Sequence, residues 1–220
     1  VTIGVAMDAG VRPFGDAQGA IELVHEMGRG TPLGRILGAG AAVTGRCLGV
    51  EDVAVVKGQG LPAYDPRPIL GIGVTYATST MGGDHTAGYA IAGNILGVGT
   101  KVDPQKVEGQ VELSRSLQIA TAALDCTGLC LFTAFAVLDK PEAFEAIYEM
   151  INGLYGLSLR GEDVVELGKK VLRTERAFNQ AAGFTSMHDR LPEFFRSKPL
   201  APLNAVFTVP DEQLDKVFDF

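Results

Sequence analysis

The sequence predicts a mainly α protein, and three observations carry that prediction. Five segments place apolar residues at helical spacing between helix-start and helix-stop signals. Only "DVAVVK" at 52–57 alternates as a strand does. The stretches between them are rich in Gly and Pro, which predicts irregular ordered loops with little or no sheet.

Taken in order, Asp16 caps a helix running to Gly28, with Ile21, Val24 and Met27 as its apolar stripe. "TPLGRILGAGAAVTGRCLG" starts with a Thr31 cap and Pro32 at the first helical position, and Leu33, Ile36 and Leu37 share one face. "GQGLPAYDPRPILGIGV" holds three prolines and four glycines in 17 residues and reads as an irregular loop. Beyond it, Asp84 or Thr86 can cap a small-residue helix, "AGYAIAGNILG". Asp103 and Pro104 open a helix on which Leu113, Leu117, Ala120 and Leu124 point inward. Asp139 and Pro141 open the next, with Phe144, Ile147 and Ile151 inward and Gly153 as its stop. The last long helix runs from about Glu162 to Gly183, with Val164, Leu167, Val171 and Phe178 in the core. A domain boundary falls near the Gly-rich turn at 57–60, dividing the chain into 1–58 and 59–220.

The 220 residues, 46% hydrophobic, bury a sizeable core. A net charge of -7 with scattered acids argues against a nucleic-acid partner, which needs clustered Lys and Arg. No run of about 18 apolar residues and no signal peptide are present, so a membrane partner is not expected and the cytoplasm is the default. Three cysteines allow one disulfide at most. The 28 glycines, in a helical chain, point to close backbone approach between elements or to a ligand.

Several familiar chemistries fail. No G-x-S-x-G elbow and no P-loop occur. "GIGVTYA" and "GAGAAV" look like pieces of a dinucleotide fingerprint, but neither follows a convincing strand, and tight packing explains them. "DCTGLC" at 125–130 sets an acid and two thiols close together, yet the third cysteine, Cys47, is far upstream. For the pair Cys126 and Cys130 alone, buried packing on one helix face outweighs metal ligation.

Three stretches read together change that balance: "PAYDPR" (62–67), "YATSTMGGDHTAGY" (76–89) and "DCTGLC" (125–130). With the tail "FNQAAGFTSMHDRLPEFF" (178–195) and "PLAPLN" (199–204), the chain resembles the tungsten-dependent aldehyde ferredoxin oxidoreductase family over essentially its whole length, specifically that family's C-terminal domains 2 and 3. The resemblance implies irregular multi-helical domains with Gly/Pro-rich cofactor-facing loops, residues 1–58 being a remnant of helical domain 2 and 59–220 domain 3. It also implies site residues. The D-x-x-G-L-C motif falls on Asp125, Gly128, Leu129 and Cys130. Asp125 would accept hydrogen bonds from pyranopterin N–H groups, Gly128 would admit close backbone approach, and the backbone at Leu129 would supply a further contact. Cys130 would be one ligand of a [4Fe-4S] cluster. Cys126 sits at a variable position and reads as packing. His85 matches the histidine beside the metal, where a group titrating near neutrality suits proton transfer. Asp84 reads as a helix cap, the Asp65–Arg67 pair as a loop brace, and Thr78 to Gly83 as pocket wall. His25 and His188 read as surface or structural residues.

The function so implied is oxidation of aldehydes to carboxylic acids on a tungsten (or molybdenum) bis-pyranopterin, with electrons leaving through the cluster to ferredoxin. A homodimer is compatible with it. The chain starts at a Val inside an apolar pattern and lacks the family's N-terminal domain, its C-x-x-C-x-x-x-C motif and its first D-x-x-G-L motif. It is therefore expected to be a fragment that by itself is colourless, metal-free and inactive. Two other readings stay open: an aromatic acyl-CoA reductase-type relative, and a helical structural or interaction module without chemistry.

Overall fold

A computed structural model describes all 220 residues apart from the side chains of Leu138 and Asp139, so the expected cap by Asp139 lies outside the described residues. Four helices form the front of the chain: α1 (Thr2–Asp8), α2 (Ala17–Arg29), α3 (Pro32–Gly38) and α4 (Ala41–Leu48). The capping signals are realised: the Asp16 side chain accepts from the Gly19 N–H at 2.8 Å, and Thr31 Oγ1 from the Gly34 N–H at 3.1 Å. The segment expected to be one helix from Thr31 is two, because Gly40 at φ +93° breaks it. Ala6, Leu23 and Leu37 form the core here, flanked by Ile3, Met27 and Leu33. Ile21 and Val24 are exposed, and the buried line of α2 is Gly19 and Leu23.

A two-residue hairpin follows, β1 (Val55–Val56) paired antiparallel with β2 (Gln59–Gly60), around Lys57 at φ +50°. The prolines at 62, 66 and 68 fall in an irregular loop, as the sequence predicts, but the loop ends early. Leu70–Thr78 form α5. Every one of its residues is buried, so it carries no polar face and no helical period to read. Short turns at Thr86–Gly88 and Ala92–Leu96 replace the expected small-residue helix. The helix expected from Asp103 begins later, as α6 (Gln110–Cys126). Pro104 instead accepts a hydrogen bond from the Leu70 N–H at the start of α5 (2.9 Å), and the buried Gln110 amide donates to Asp103 O (2.7 Å) and Lys106 O (2.8 Å). Those backbone groups are thus spent on tying the loop to the start of α5 and to the first residue of α6.

A turn at Leu131–Thr133 leads to α7 (Ala134–Asp139), α8 (Pro141–Tyr155) and α9 (Gly161–Ala181). Pro141 holds the first position of α8 as expected, while the stop is Gly156 in the left-handed conformation and Gly153 lies inside the helix. α9 crosses α6 at Gly168, where a Cβ would lie 2.1 Å from the Ile119 carbonyl oxygen. The inner line of α9 is Val164, Gly168 and Leu172. Phe178 and Leu167 face outward, against expectation, because the line of contact with α6 passes through that glycine. The tail adds α10 (Phe194–Ser197) and α11 (Asp211–Leu214), whose Phe195, Phe207 and Leu214 complete a second core built on Leu70, Ile72, Val74 and Tyr76 of α5. Among the described residues no helix is long and apolar enough to cross a membrane.

Candidate functional site

The C-terminus of α5 delivers Ser79–Asp84 toward His85, and other elements fix that loop. The hairpin lies against it: the Gly83 N–H donates to Val56 O at 3.3 Å, and Gly82, at φ +99°, comes so near that a Cβ would sit 2.7 Å from the same oxygen. Lys57 Nζ donates to Ala77 O (2.8 Å) on α5 and pairs with Asp189 (2.7 Å), whose other oxygen takes Arg176 at 3.1 Å. Burial pulls the Lys57 ammonium below the usual lysine range, and the Asp189 carboxylate opposes that shift. On the far side of His85 the Thr75 hydroxyl donates to Gly88 O (2.8 Å), Ser114 Oγ lies 2.8 Å from it, and the Gln118 amide donates to Ser114 (3.1 Å) and Thr78 (3.0 Å). This buried polar seam ties α5 and α6 to the turn at Thr86–Gly88.

Asp84 is buried and, in place of the expected helix cap, closes a local turn over His85 by accepting from the Thr86 N–H (3.1 Å) and hydroxyl (2.5 Å). Its carboxylate lies 3.7 Å from His85 Nδ1, beyond hydrogen-bond reach. Nδ1 is buried and has no hydrogen-bond partner among the described residues. The imidazole packs instead against a pair of tyrosine rings, with centroids 5.5 Å from Tyr64 and 5.8 Å from Tyr89, which are themselves 5.8 Å apart and edge-to-face. The two phenol oxygens meet at 2.8 Å. Burial, reinforced by the bond to Tyr64, pushes the Tyr89 phenol up to about 12. The fully buried Tyr76 hydroxyl close by has no partner among the described residues, and burial raises its phenol further.

The second half of the site is the end of α6. Asp125 lies in its last turn, where the carbonyl ends of the helix disfavour an anion. Burial of the carboxyl, then the nearby charges of Asp84 and Glu175, raise Asp125 above the ordinary carboxylate range, and no described residue donates to it. Asp84 thus links the two halves electrostatically. Gly128 takes a left-handed conformation, φ +76°, with open space where a Cβ would stand, so backbone conformation and not crowding asks for glycine. The Leu129 N–H donates to Thr127 Oγ1 at 3.2 Å, while its carbonyl receives no hydrogen bond among the described residues. Cys130 is exposed and free. Cys126, expected to pack, is exposed too, because α6 ends on it and the two thiols do not share a helix.

These residues suit the groups that the resemblance implies. An acceptor-only carboxylate without a donor and a free backbone carbonyl are complementary to the N–H groups of an amino-pterin edge. An exposed thiol is chemically able to ligate iron; among the described residues no three His, Cys, Asp or Glu side chains gather as a metal site.

An apolar cavity of about 460 Å³ lies between α6, α7, α8 and α9. Tyr89 forms one part of its wall, Leu124, Thr127 and Leu131 another, and Phe135 and Phe144 a third. Its wall reaches the two halves through Tyr89 and through Leu124 and Thr127, while neither His85 nor Asp125 lines it. Of the remaining expectations, Arg67 brackets Asp65 with two hydrogen bonds (2.9 and 2.6 Å) and reaches Lys198 O at 2.8 Å, which is a brace between loop and tail. His25 and His188 are exposed, and His188 closes a turn with Thr185. Sequence reasoning gave no role to Tyr64, Tyr89 or the Lys57–Asp189 pair. Tyr64 and Tyr89 lie inside the motif stretches, but only the fold shows that their hydroxyls meet.

A helical scaffold carrying such a site fits a redox-cofactor domain, and comparison with known proteins agrees on the class: residues 5–219 match the family model for aldehyde ferredoxin oxidoreductase, domains 2 and 3, an oxidoreductase family. The chain belongs to the aldehyde ferredoxin oxidoreductase family. It is 34% identical over 190 residues, 85% of its length, to the tungsten-containing aldehyde ferredoxin oxidoreductase of Pyrococcus abyssi, and 33% identical over the same span to that of Pyrococcus horikoshii. To the Pyrococcus furiosus protein of the same name it is 36% identical over 147 residues, 66% of this chain and 24% of that one. The chain spans about 30% of the length of the first two relatives.

Proposed function

We propose that this chain forms the proton-handling and pterin-facing part of a tungsten or molybdenum pyranopterin enzyme that oxidises aldehydes to carboxylates with ferredoxin as electron acceptor. The observation that supports the reading is the buried, unpartnered imidazole nitrogen of His85 beside Asp84, whose charge also acts on the donor-free carboxylate of Asp125. When bound, the metallopterin and its [4Fe-4S] cluster would supply oxygen transfer and electron storage. The chain's own residues do the rest. Asp125 accepts pterin N–H groups, Leu129 offers its carbonyl, and Cys130 gives one thiolate to the cluster. His85 takes and releases the proton that leaves as the carboxylate forms. The remaining three cluster ligands come from polypeptide beyond these 220 residues, in keeping with the greater length of the relatives. On this reading the 220-residue chain purified alone binds no stoichiometric tungsten or iron. The division at residue 58 is proposed from the turn that separates most of the two hydrophobic cores, although Val56 and Ala54 already pack into the second. Cytoplasmic residence belongs to the same proposal.

The test is aldehyde-dependent reduction of a viologen dye by the metal-loaded full-length protein. Wild type is expected to turn over. His85→Asn is expected to lose about 100-fold in kcat while retaining its tungsten. Full turnover in that variant removes His85 from the chemistry, and no turnover by wild type with any aldehyde of a broad panel overturns the activity.

A further inference from the structure

His85 lacks the hydrogen bond that normally orients a working imidazole. Its Nδ1 has no partner among the described residues, and the nearest carboxylate, Asp84, stands at 3.7 Å and is already engaged by Thr86. A proton-transfer group must nonetheless be held to within about half an ångström. The holding elements visible around it are the Tyr64 and Tyr89 rings, at 5.5 and 5.8 Å.

We propose that Tyr64 and Tyr89 are positioning residues: their hydroxyl–hydroxyl bond closes a clamp that holds the two rings edge-to-face, 5.8 Å apart, as a corner in which the His85 imidazole is seated. That assignment rests on the reading of His85 above. Each jaw is anchored on a different element. Tyr64 precedes the Asp65–Arg67 brace, which is tied to the tail at Lys198. Tyr89 follows Gly88, whose carbonyl is held by Thr75 of α5, and its ring meets Phe135 of α7 edge-on at 6.0 Å. The closing bond is 2.8 Å long and partly buried, and it keeps the two jaws in register. The groups facing the clamp are Asp84, Asp65 and the buried Tyr76 phenol; none of them is hydrogen-bonded to either jaw. Without the bond the rings can slide, and the corner that seats His85 loosens.

Tyr64→Phe and Tyr89→Phe keep both rings and cut only the bond. In the metal-loaded full-length enzyme each is expected to lower kcat about ten-fold with KM changed less than about two-fold, and the double variant is expected to match either single one, because one bond is lost in all three. Singles that leave kcat unchanged, or that multiply in the double variant, overturn the clamp. A second readout needs no cofactor. In the 220-residue chain, ring-carbon NMR of labelled tyrosine should show the Tyr89 ionisation falling from about 12 toward the ordinary tyrosine range in Tyr64→Phe, because the bond that helps raise it is gone. An unmoved Tyr89 ionisation also overturns the proposal. If Tyr89 responds as expected while His85→Asn turns over normally, the proton-transfer reading of His85 fails and takes the positioning role with it, leaving only the hydroxyl bond.

Discussion

The two halves of the site are built on opposite principles. The His85 half is enclosed: Asp84 is buried and capped, Thr75, Ser114 and Gln118 form a buried polar seam, and Lys57 is locked between Ala77 and Asp189. The Asp125–Cys130 half is open. It stands at a helix end with an exposed thiol, a carboxylate without donors and a carbonyl without a partner. The difference teaches which groups this chain positions by itself and which depend on what they bind. A proton-transfer group gains from a rigid surround, whereas groups that receive a large cofactor must stay reachable until it arrives.

The largest expected effect comes from removing the open half's thiol. Cys130→Ala in the full-length protein should abolish the low-temperature EPR signal of the reduced cluster, yet leave the melting temperature of the 220-residue chain unchanged, since the side chain is exposed. An intact cluster signal breaks the ligand assignment. On the enclosed side, Lys57→Ala leaves Asp189 with Arg176 alone in a buried setting and should cost about 3 kcal/mol in urea unfolding. A loss below about 1 kcal/mol means that the pair is solvated and the enclosure is looser than described.

The smallest effect runs the other way. Asp125 keeps its proton to higher pH in the folded chain than in the unfolded one, so its charge weighs against folding above that raised value. Asp125→Asn should therefore stabilise the chain by about 0.5 kcal/mol at neutral pH. The gain should vanish as pH falls below the ordinary carboxylate range, where the native residue is itself uncharged. Thermal melts at several pH values check the sign, and a destabilised Asn variant at neutral pH means that Asp125 has a donor after all. A gain in stability alongside a loss of cofactor binding marks a residue kept for function at a cost to the fold.

Local chemistry was legible wherever one short segment decides it. Asp16, Thr31 with Pro32, and Pro141 mark helix starts because a cap needs only residues a few positions apart. The D-x-x-G-L-C stretch was legible for the same reason, and its acid in a last helical turn already breaks a local rule. What failed was any reading that depended on a distant neighbour. α5 escaped notice because burial on all sides erases the polar face that reveals a helix. Ile21, Val24 and Phe178 were assigned inward by period alone, but the close approaches of Gly34 to the Glu26 carbonyl of α2 and of Gly168 to Ile119 of α6 set the contact lines on other faces.

By itself, then, the sequence determined the mainly α class, the caps, the family motifs and the residue types able to meet a metallopterin, all of which rest on local backbone preference and side-chain chemistry. Only the tertiary structure decided that Cys126 faces outward, that Asp84 and Asp125 share one electrostatic neighbourhood, and that Tyr64 and Tyr89 join hydroxyls around His85. These are contacts between elements, and their geometry is set by how helices with glycine crossings pack, which no single segment encodes.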